Sequence, residues 1–285
     1  QPGTPWHWFG FVGMAGNYLL MMFYTTVTGW MFIYLIKMLK GDFVSNTAPQ
    51  IEAQFGSMVS NPTLLVGFMI LTTVIGFLIC SIGLKNGVEK ITKVMMLALL
   101  AIIVVLAIHT CTLPGAIDGL KYYLVPNFNR MVENGIGNAL FAAVGQAFFT
   151  LSIGMGSMAI FGSYIKKDRR LFGESISIAA LDTFVAFTAG LIVIPSCFAY
   201  GVDIKAGPSL IFQALPNVFN AMPGGRIWGS LFFVFMIFAA LSTVVAVFEN
   251  IVSFGIDLHG WSRKKSSYIN IIAVIILSLP CALGF

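Results

Sequence analysis

Two acidic side chains lie inside long apolar runs of this sequence and are the residues best placed to do chemistry. Asp182 interrupts the run over about 175–200, and Glu249 interrupts the run over about 227–258. A carboxylate in such surroundings is costly unless it takes up a proton or holds a cation. No Lys or Arg lies deep in a run, so neither acid has an obvious partner in the chain. The pair predicts a cation-handling protein; the alternative is a protonated acid that only bonds a neighbouring helix.

A group of small and polar residues occupies the middle of another apolar run. Residues 149–156 read FTLSIGMG, so two glycines, a threonine and a serine stand between apolar flanks. Glycine weakens a helix, and hydroxyl groups can satisfy the backbone groups that a break sets free. A break here would expose carbonyls to a cation and N–H groups to an anion. Close helix packing through small residues explains the same composition equally well.

Neighbouring hydroxyl groups mark the middle of the run that contains Glu249. Ser242 and Thr243 follow Ala239 by about one helical turn. Two hydroxyls and the earlier carbonyl could together supply oxygen ligands to a hard cation such as sodium. The alternative is that both hydroxyls bond back to their own helix.

The composition places all these residues in a membrane. Of 285 residues, 58% are hydrophobic and 9% are charged, and the mean hydropathy is +0.91. An ordinary soluble domain is about 25% charged. A soluble globular domain, a disordered chain and a nucleic-acid-binding domain are therefore excluded. Seven runs are close to or longer than the roughly 20 residues that span a bilayer: about 9–38, 64–84, 91–113, 137–165 (broken near 151–156), 175–200, 227–258 and 268–285.

The basic residues predict the orientation of these spans. Ten of the 16 lie in three short connections on one side of the predicted membrane: Lys85, Lys90, Lys93, Lys166, Lys167, Arg169, Arg170, Arg263, Lys264 and Lys265. Positively charged loops stay cytoplasmic. We therefore expect a multi-pass protein of the bacterial inner (plasma) membrane with its N-terminal end inside and its C-terminal end outside.

Motifs of membrane-embedded enzymes are absent from the sequence. There is no HExxH, no GxSxG and no paired histidine, and the four cysteines show no CxxC spacing. The sequence therefore predicts a protein that is not an enzyme.

Several stretches, taken in order, resemble one known family. They are GLKNGVEKITKVMM, LPGAIDGLKYYLVPNF, GQAFFTLSIGMGSMAIFGSYIKKD, ALDTFVAFTAG and ALSTVVAVFENIVSF. The chain resembles the neurotransmitter:sodium symporters, and most of all bacterial amino-acid members such as the leucine and tryptophan transporters. The resemblance implies an all-α integral membrane protein with the LeuT-type inverted-repeat transporter fold. Residues 1–285 would be one incomplete transmembrane domain, equivalent to the third to ninth of about twelve helices.

The resemblance also implies a substrate site. Tyr24 resembles the tyrosine that holds the substrate carboxylate, and Phe149 resembles the aromatic lid above the substrate. Gln146 resembles a glutamine of the outer gate. The remaining pocket residues would be Leu20, Ser152, Met155 and Val247. Met155 is adaptable and Val247 is small, so a hydrophobic or aromatic amino acid is the expected substrate.

Two sodium sites follow from the same resemblance. Thr150 and Asp182 resemble ligands of the first site. Ala239, through its carbonyl, and the hydroxyls of Ser242 and Thr243 resemble ligands of the second.

The residue at position 182 departs from the family pattern. Many members carry Asn at this position and rely on chloride, or on a glutamate one turn later, where this chain has Ala186. We therefore expect Asp182 to supply the negative charge, so that chloride is not required.

The function implied is import of amino acids by alternating access, coupled to inward sodium flow. A proton-coupled amino-acid transporter, with Asp182 or Glu249 as the relay, remains an alternative. A further alternative is that this stretch does not transport alone, because half of each sodium site would lie on a helix outside it. The bilayer and a small-molecule amino acid are the expected partners, and whether two copies pair as a homodimer is left open.

Overall fold

The chain folds into helices throughout the part that can be described. The computed structural model describes residues 5, 7–83, 88–133, 135–165, 170–201 and 210–284. Within these ranges the α-helices are α1 (His7–Lys40), α2 (Ala48–Val59), α3 (Pro62–Ile82), α4 (Lys90–Cys111), α5 (Ala116–Leu124), α6 (Phe128–Glu133), α7 (Ile136–Thr150), α8 (Ser157–Tyr164), α9 (Leu171–Ala199), α10 (Leu215–Ala221), α11 (Gly225–His259) and α12 (Arg263–Leu283), with a π-helical turn at Leu210–Ala214.

Six of these helices are long and apolar enough to cross a membrane, namely α1, α3, α4, α9, α11 and α12. The run predicted over 137–165 is two shorter helices, α7 and α8, with turns between them. The amphipathic helix α2 lies between two predicted spans and was not anticipated, because its apolar content is too low for a membrane run.

Capping residues explain where two spans begin. At α3 the Asn61 side chain accepts a hydrogen bond from the Leu64 N–H, and Pro62 occupies the first turn. At α12 the Ser262 hydroxyl accepts a bond from the Lys265 N–H. Such caps satisfy N–H groups that have no partner inside the helix. Because Ser262 starts the helix, α12 begins about five residues before the apolar run that was predicted to start near 268.

Helix α11 is the centre of the structure and packs against α1, α3, α4 and α12. Its contact with α3 is close because Gly76 has no side chain: a Cβ there would lie 2.7 Å from the Phe248 ring. One residue later, Phe77 stacks on Phe248 with ring centroids 3.8 Å apart. Van der Waals packing of this kind, allowed by a small residue at the contact, holds helices together in a membrane and here joins α3 to α11.

Aromatic side chains close one end of this bundle. Tyr34, near the end of α1, stacks on Phe43 and meets the Phe212 and Phe233 rings. Trp30 contacts Phe55 of α2 and Phe212 of the π-helical turn edge to face. Within the described residues, the connections at this end therefore pack against the spanning helices.

The basic residues used to predict orientation are only partly described. Lys90 and Lys93 stand in the first turn of α4, and Arg263, Lys264 and Lys265 form the first turn of α12. Lys85, Lys166, Lys167 and Arg169 lie outside the described residues.

Candidate functional site

The candidate site is built around the interruption between α7 and α8. Helix α7 ends in a Schellman arrangement, in which the Ile153 N–H bonds the Phe148 carbonyl at 3.0 Å and the Ser152 N–H bonds the Phe149 carbonyl at 3.1 Å. This ending needs a left-handed residue after the helix, and glycine usually supplies it. Here the residue is Ser152, with φ of 52°. A non-glycine residue in this region is uncommon and is often found at functional sites.

Two glycines complete the interruption. Gly154 and Gly156 have φ of 93° and 90°, values that residues with side chains rarely adopt. The chain therefore cannot continue as a helix through residues 151–156, and α8 restarts at Ser157. The FTLSIGMG sequence forms an interruption here, with Ser152, Gly154 and Gly156 as its turning points.

Helix α9 brings Asp182 to the last residue of α7. The Thr150 hydroxyl donates to Oδ1 of Asp182 at 2.8 Å, although the two residues are 32 positions apart. Asp182 is partly exposed. Among the residues that the structure describes, no basic side chain forms an ion pair with it. The structure thus brings the two predicted ligands of the first sodium site together, as a hydroxyl and a carboxylate within hydrogen-bond distance.

The predicted oxygen ligands on α11 also converge. The Ser242 and Thr243 hydroxyls both point to the Ala239 carbonyl, at 2.8 and 3.4 Å. The Tyr24 side chain of α1 interacts with Thr243. The predicted second sodium site therefore adjoins the residue predicted to hold the substrate carboxylate. The hydroxyl geometry is also the ordinary bonding of Ser and Thr back to a helix.

The oxygen donors suit a hard monovalent cation better than a transition metal. Within the described ranges no group of three His, Cys, Asp or Glu side chains is close enough to hold a metal ion. Hydroxyl, carbonyl and carboxylate oxygens are ligands of hard cations. A single carboxylate with neutral oxygens around it matches the charge of one Na⁺.

The predicted pocket residues divide into two groups. Leu20 and Tyr24 of α1 pack in the same apolar cluster as the buried Val247 of α11. Phe149 is 57% exposed and Gln146 is also exposed, since α7 has no buried residue. The structure therefore brings α1 and α11 together but does not bury the predicted lid and gate against them.

Met155 joins the two groups through its backbone. Its carbonyl accepts one hydrogen bond from Asn17 of α1 at 2.8 Å and another from Asn250 of α11 at 2.9 Å. The sequence analysis did not single out these two asparagines. The available signal is an amide side chain inside an apolar run, a residue type outside the acids, hydroxyls and glycines considered above.

The expectation that Glu249 has no partner is wrong. Glu249 is completely buried, and Arg263 binds it with two hydrogen bonds, Nη1 to Oε2 at 2.7 Å and Nη2 to Oε1 at 2.8 Å. The Tyr164 hydroxyl at the end of α8 also donates to Oε1, at 2.9 Å. Arg263 was treated as a loop residue in the sequence. A short connection, capped by Gly260 with φ of 63°, instead turns α12 back so that its first residue faces Glu249.

Comparison with known proteins agrees with the all-helical fold described above. The crystal structure of MhsT in complex with L-phenylalanine superposes with a TM-score of 0.88 at 36% sequence identity, over 99% of this chain and 64% of that one. This match confirms the predicted all-α, LeuT-type transporter fold.

Sequence relatives are transporters as well. The sodium-dependent transporter YhdH of Bacillus subtilis is 31% identical over 284 residues, which are 100% of this chain and 62% of that protein. The sodium- and chloride-dependent taurine transporter of Rattus norvegicus is 27% identical over 256 residues, 84% of this chain and 41% of the relative. That these relatives are transporters agrees with the expectation that the protein is not an enzyme.

The chain thus spans about three-fifths of the length of YhdH and of MhsT. Its spanning helices, its fold and its relatives together identify a multi-pass membrane protein of a transporter family. The sequence model of one family, described as Sodium:neurotransmitter symporter family, matches residues 42–283, and the chain belongs to that family.

Proposed function

We propose that the complete protein is a sodium-coupled symporter that imports amino acids by alternating access. The observation that carries this proposal is the Thr150–Asp182 pair, in which a carboxylate of a spanning helix meets the end of an interrupted helix. The pair supplies charge and oxygen ligands where a helix break frees backbone carbonyls. A cation that binds there would fix α7 relative to α9.

Electrostatics support sodium at this position. An unpaired carboxylate at membrane depth is costly, and a bound cation removes that cost. Asp182 and Thr150 would be protein ligands of this first ion. Ala239, Ser242 and Thr243 would hold a second ion on α11, beside Tyr24. Because both ions would adjoin elements that contact the substrate, sodium binding would favour substrate binding.

The proposed substrate is a hydrophobic or aromatic amino acid. Tyr24 would bind its carboxylate, and the side chain would contact Leu20, Ser152, Met155 and Val247, with Phe149 closing over it and Gln146 in the outer gate. Leu20 and Val247 belong to an apolar environment that would disfavour a charged side chain. The MhsT structure contains L-phenylalanine, which supports an amino acid of this class.

Chloride independence is a separate part of the proposal. The taurine transporter is named as chloride-dependent. In this chain the carboxylate of Asp182 would supply the negative charge next to the ion, so a chloride anion would be redundant. Uptake by the complete protein should persist when chloride is replaced by gluconate, and loss of uptake would contradict this part.

A proton relay through Glu249 receives no support from the site. Arg263 donates a hydrogen bond to each oxygen of this carboxylate, whereas a relay needs an oxygen that is open to proton exchange. Asp182 remains the residue through which proton coupling would act.

The test is uptake of labelled phenylalanine or leucine by the complete protein in proteoliposomes. An inward sodium gradient should drive accumulation at constant pH, and replacement of sodium by potassium should abolish it. Accumulation driven by a pH gradient without sodium would favour the proton-coupled transporter. We also propose insertion in the bacterial inner membrane with the N-terminal end inside, which labelling of single cysteines in intact cells would check.

A further inference from the structure

Two asparagines from different helices bind a single carbonyl in the interruption of the α7–α8 helix. Nδ2 of Asn17 lies 2.8 Å from the Met155 oxygen, and Nδ2 of Asn250 lies 2.9 Å from the same atom. Asn17 is fully buried and Asn250 is 5% exposed. A carbonyl oxygen has two lone pairs and can accept both bonds. The peptide after Met155 is thus held from α1 on one side and from α11 on the other.

The backbone around this carbonyl is shaped to let the two amides reach it. A Cβ at Gly13 would lie 3.5 Å from the Gly154 oxygen, and a Cβ at Gly156 would lie 3.2 Å from Nδ2 of Asn250. The turning residues of the interruption therefore sit directly against α1 and α11. A side chain at position 156 would also be strained by its φ of 90°.

Asn17 is kept in this position at an energetic cost. Its Nδ2 also donates to the Gly13 carbonyl at 3.0 Å, but its Oδ1 is buried without a partner in the described chain. A buried acceptor without a hydrogen bond is destabilising and calls for an explanation. An apolar residue at position 17 would avoid this cost. What asparagine provides and an apolar residue cannot is the hydrogen bond to the Met155 carbonyl.

We infer that Asn17 and Asn250 are positioning residues for substrate selectivity, because they fix the peptide that carries Met155 in the predicted pocket. This inference rests on the proposed function. With the carbonyl held, the Met155 side chain keeps a set distance from α1 and leaves room for a large substrate side chain. With the carbonyl released, the segment 151–156 relaxes into that room, and large substrates lose more affinity than small ones.

A shared acceptor gives these residues a distinctive signature. Removing one amide leaves the carbonyl bound by the other, whereas removing both leaves it without a partner. The effect of the double variant should therefore exceed the product of the single effects. Two independent packing sites would instead give effects that multiply.

The experiment uses the complete protein with Asn17→Leu, Asn250→Leu and the double variant, since leucine has the shape of asparagine without its donors. Asn270→Leu is the matched control, because Asn270 is buried and bonds Tyr18 and Ser266 of α1 and α12 away from the interruption. The ratio of KM for phenylalanine to KM for alanine is measured in proteoliposomes. We expect it to rise less than fivefold in either single variant and more than 25-fold in the double variant, with sodium affinity unchanged within twofold. The control should shift both KM values equally.

Hydrogen–deuterium exchange separates this inference from the proposed function, because it needs no transport. Exchange of the amides of 151–156 should rise at least tenfold in the double variant and little in the single variants or the control. Unchanged exchange, or single effects that multiply to the double effect, would overturn the inference. If the wild type transports no amino acid, the proposed function fails and the exchange result still decides whether the peptide is held. If the leucine pair does not fold, the smaller pair Asn17→Ala and Asn250→Ala gives the same comparison.

Discussion

Asp182 and Glu249 both place a carboxylate in a spanning helix, and their surroundings are opposite. Glu249 is completely buried and bound by Arg263 and Tyr164, so its charge is balanced within the described chain. Asp182 is partly exposed, and its described partner is the neutral hydroxyl of Thr150. Glu249 therefore links α8, α11 and α12 through hydrogen bonds inside the structure. In the proposed function, Asp182 is the carboxylate that binds an ion.

This contrast shows that an acidic residue in an apolar run is informative only together with its partners. A buried ion pair adds little net stability relative to apolar residues of the same size, but removal of one partner is strongly destabilising. For Asp182, whose described partner is neutral, we expect the reverse: its substitution should change stability little and, if the proposed function holds, weaken cation binding strongly. Stability and sodium affinity therefore separate the two residues experimentally.

The largest effect is expected when Arg263 is removed. Arg263→Ala would leave the buried Glu249 carboxylate uncompensated and destabilise the fold by about 3–5 kcal/mol. Thermal unfolding of the complete protein in detergent measures this, with the exposed Lys264→Ala as control. Combining Arg263→Met with Glu249→Leu should recover most of the loss. A single variant as stable as the control would show that Glu249 does not depend on the pair.

The next effect concerns sodium. Asp182→Asn keeps the shape of the side chain and removes its charge, which at 4 Å and an effective dielectric of 20 contributes about 4 kcal/mol to cation binding. We expect sodium affinity to fall about 100- to 1000-fold, a range that this energy allows after the cost of desolvation. The sodium dependence of uptake gives the value, and Asp118→Asn on the exposed face of α5 should leave it unchanged. Equal affinities would exclude the Asp182 carboxylate as a ligand.

A smaller loss is expected from the partner of Asp182. Thr150→Val removes one oxygen donor and the hydrogen bond that orients the carboxylate, and bonds to charged groups contribute about 1.5–3 kcal/mol. Sodium affinity should fall about tenfold, in line with the lower end of that range. Thr183→Val, next to Asp182 and exposed, is the matched control. A change in stability without a change in sodium affinity would assign Thr150 to packing alone.

The smallest effect is expected at the edge of the Glu249 cluster. Tyr164→Phe removes one hydrogen bond to a carboxylate that keeps both bonds from Arg263. The cost should lie at the low end of the about 1.5–3 kcal/mol that bonds to charged groups contribute. Unfolding experiments measure it, and the exposed Tyr268→Phe should have no effect. A loss as large as that of Arg263→Ala would contradict the minor role given to the Tyr164 hydrogen bond.

The fold could be predicted from the sequence because the lengths of the apolar runs and the family resemblance both reflect the organisation of the whole chain. The spans, the interruption within 151–156 and the Thr150–Asp182 pair lie on segments whose residue types are distinctive. The partner of Glu249 could not be predicted in this way, because Arg263 lies outside the apolar run that contains Glu249. A three-residue connection turns the chain so that Arg263 faces Glu249. The direction of this turn depends on the geometry of the helix cap, which cannot be predicted from composition.

The interruption illustrates the same limit at finer scale. Two glycines predict a break, but only the backbone shows that Ser152 takes the left-handed position in the Schellman ending of α7. Likewise, an asparagine in an apolar run predicts a buried amide without naming its acceptor. Asn17 and Asn250 are 233 positions apart in sequence. They bind the same carbonyl only because their helices, α1 and α11, meet at the interruption.

The two-bond contact between Glu249 and Arg263 also constrains how this sequence can change by descent. Replacement of either residue alone strands the other charge, so a lineage that loses one is under selection to lose the second. In a set of diverged relatives, the two positions should therefore vary together. Asp182 is under no such constraint, because its companion is neutral. Its charge could move one helical turn, to position 186, and a descendant could exchange the two arrangements without rebuilding the helices around them.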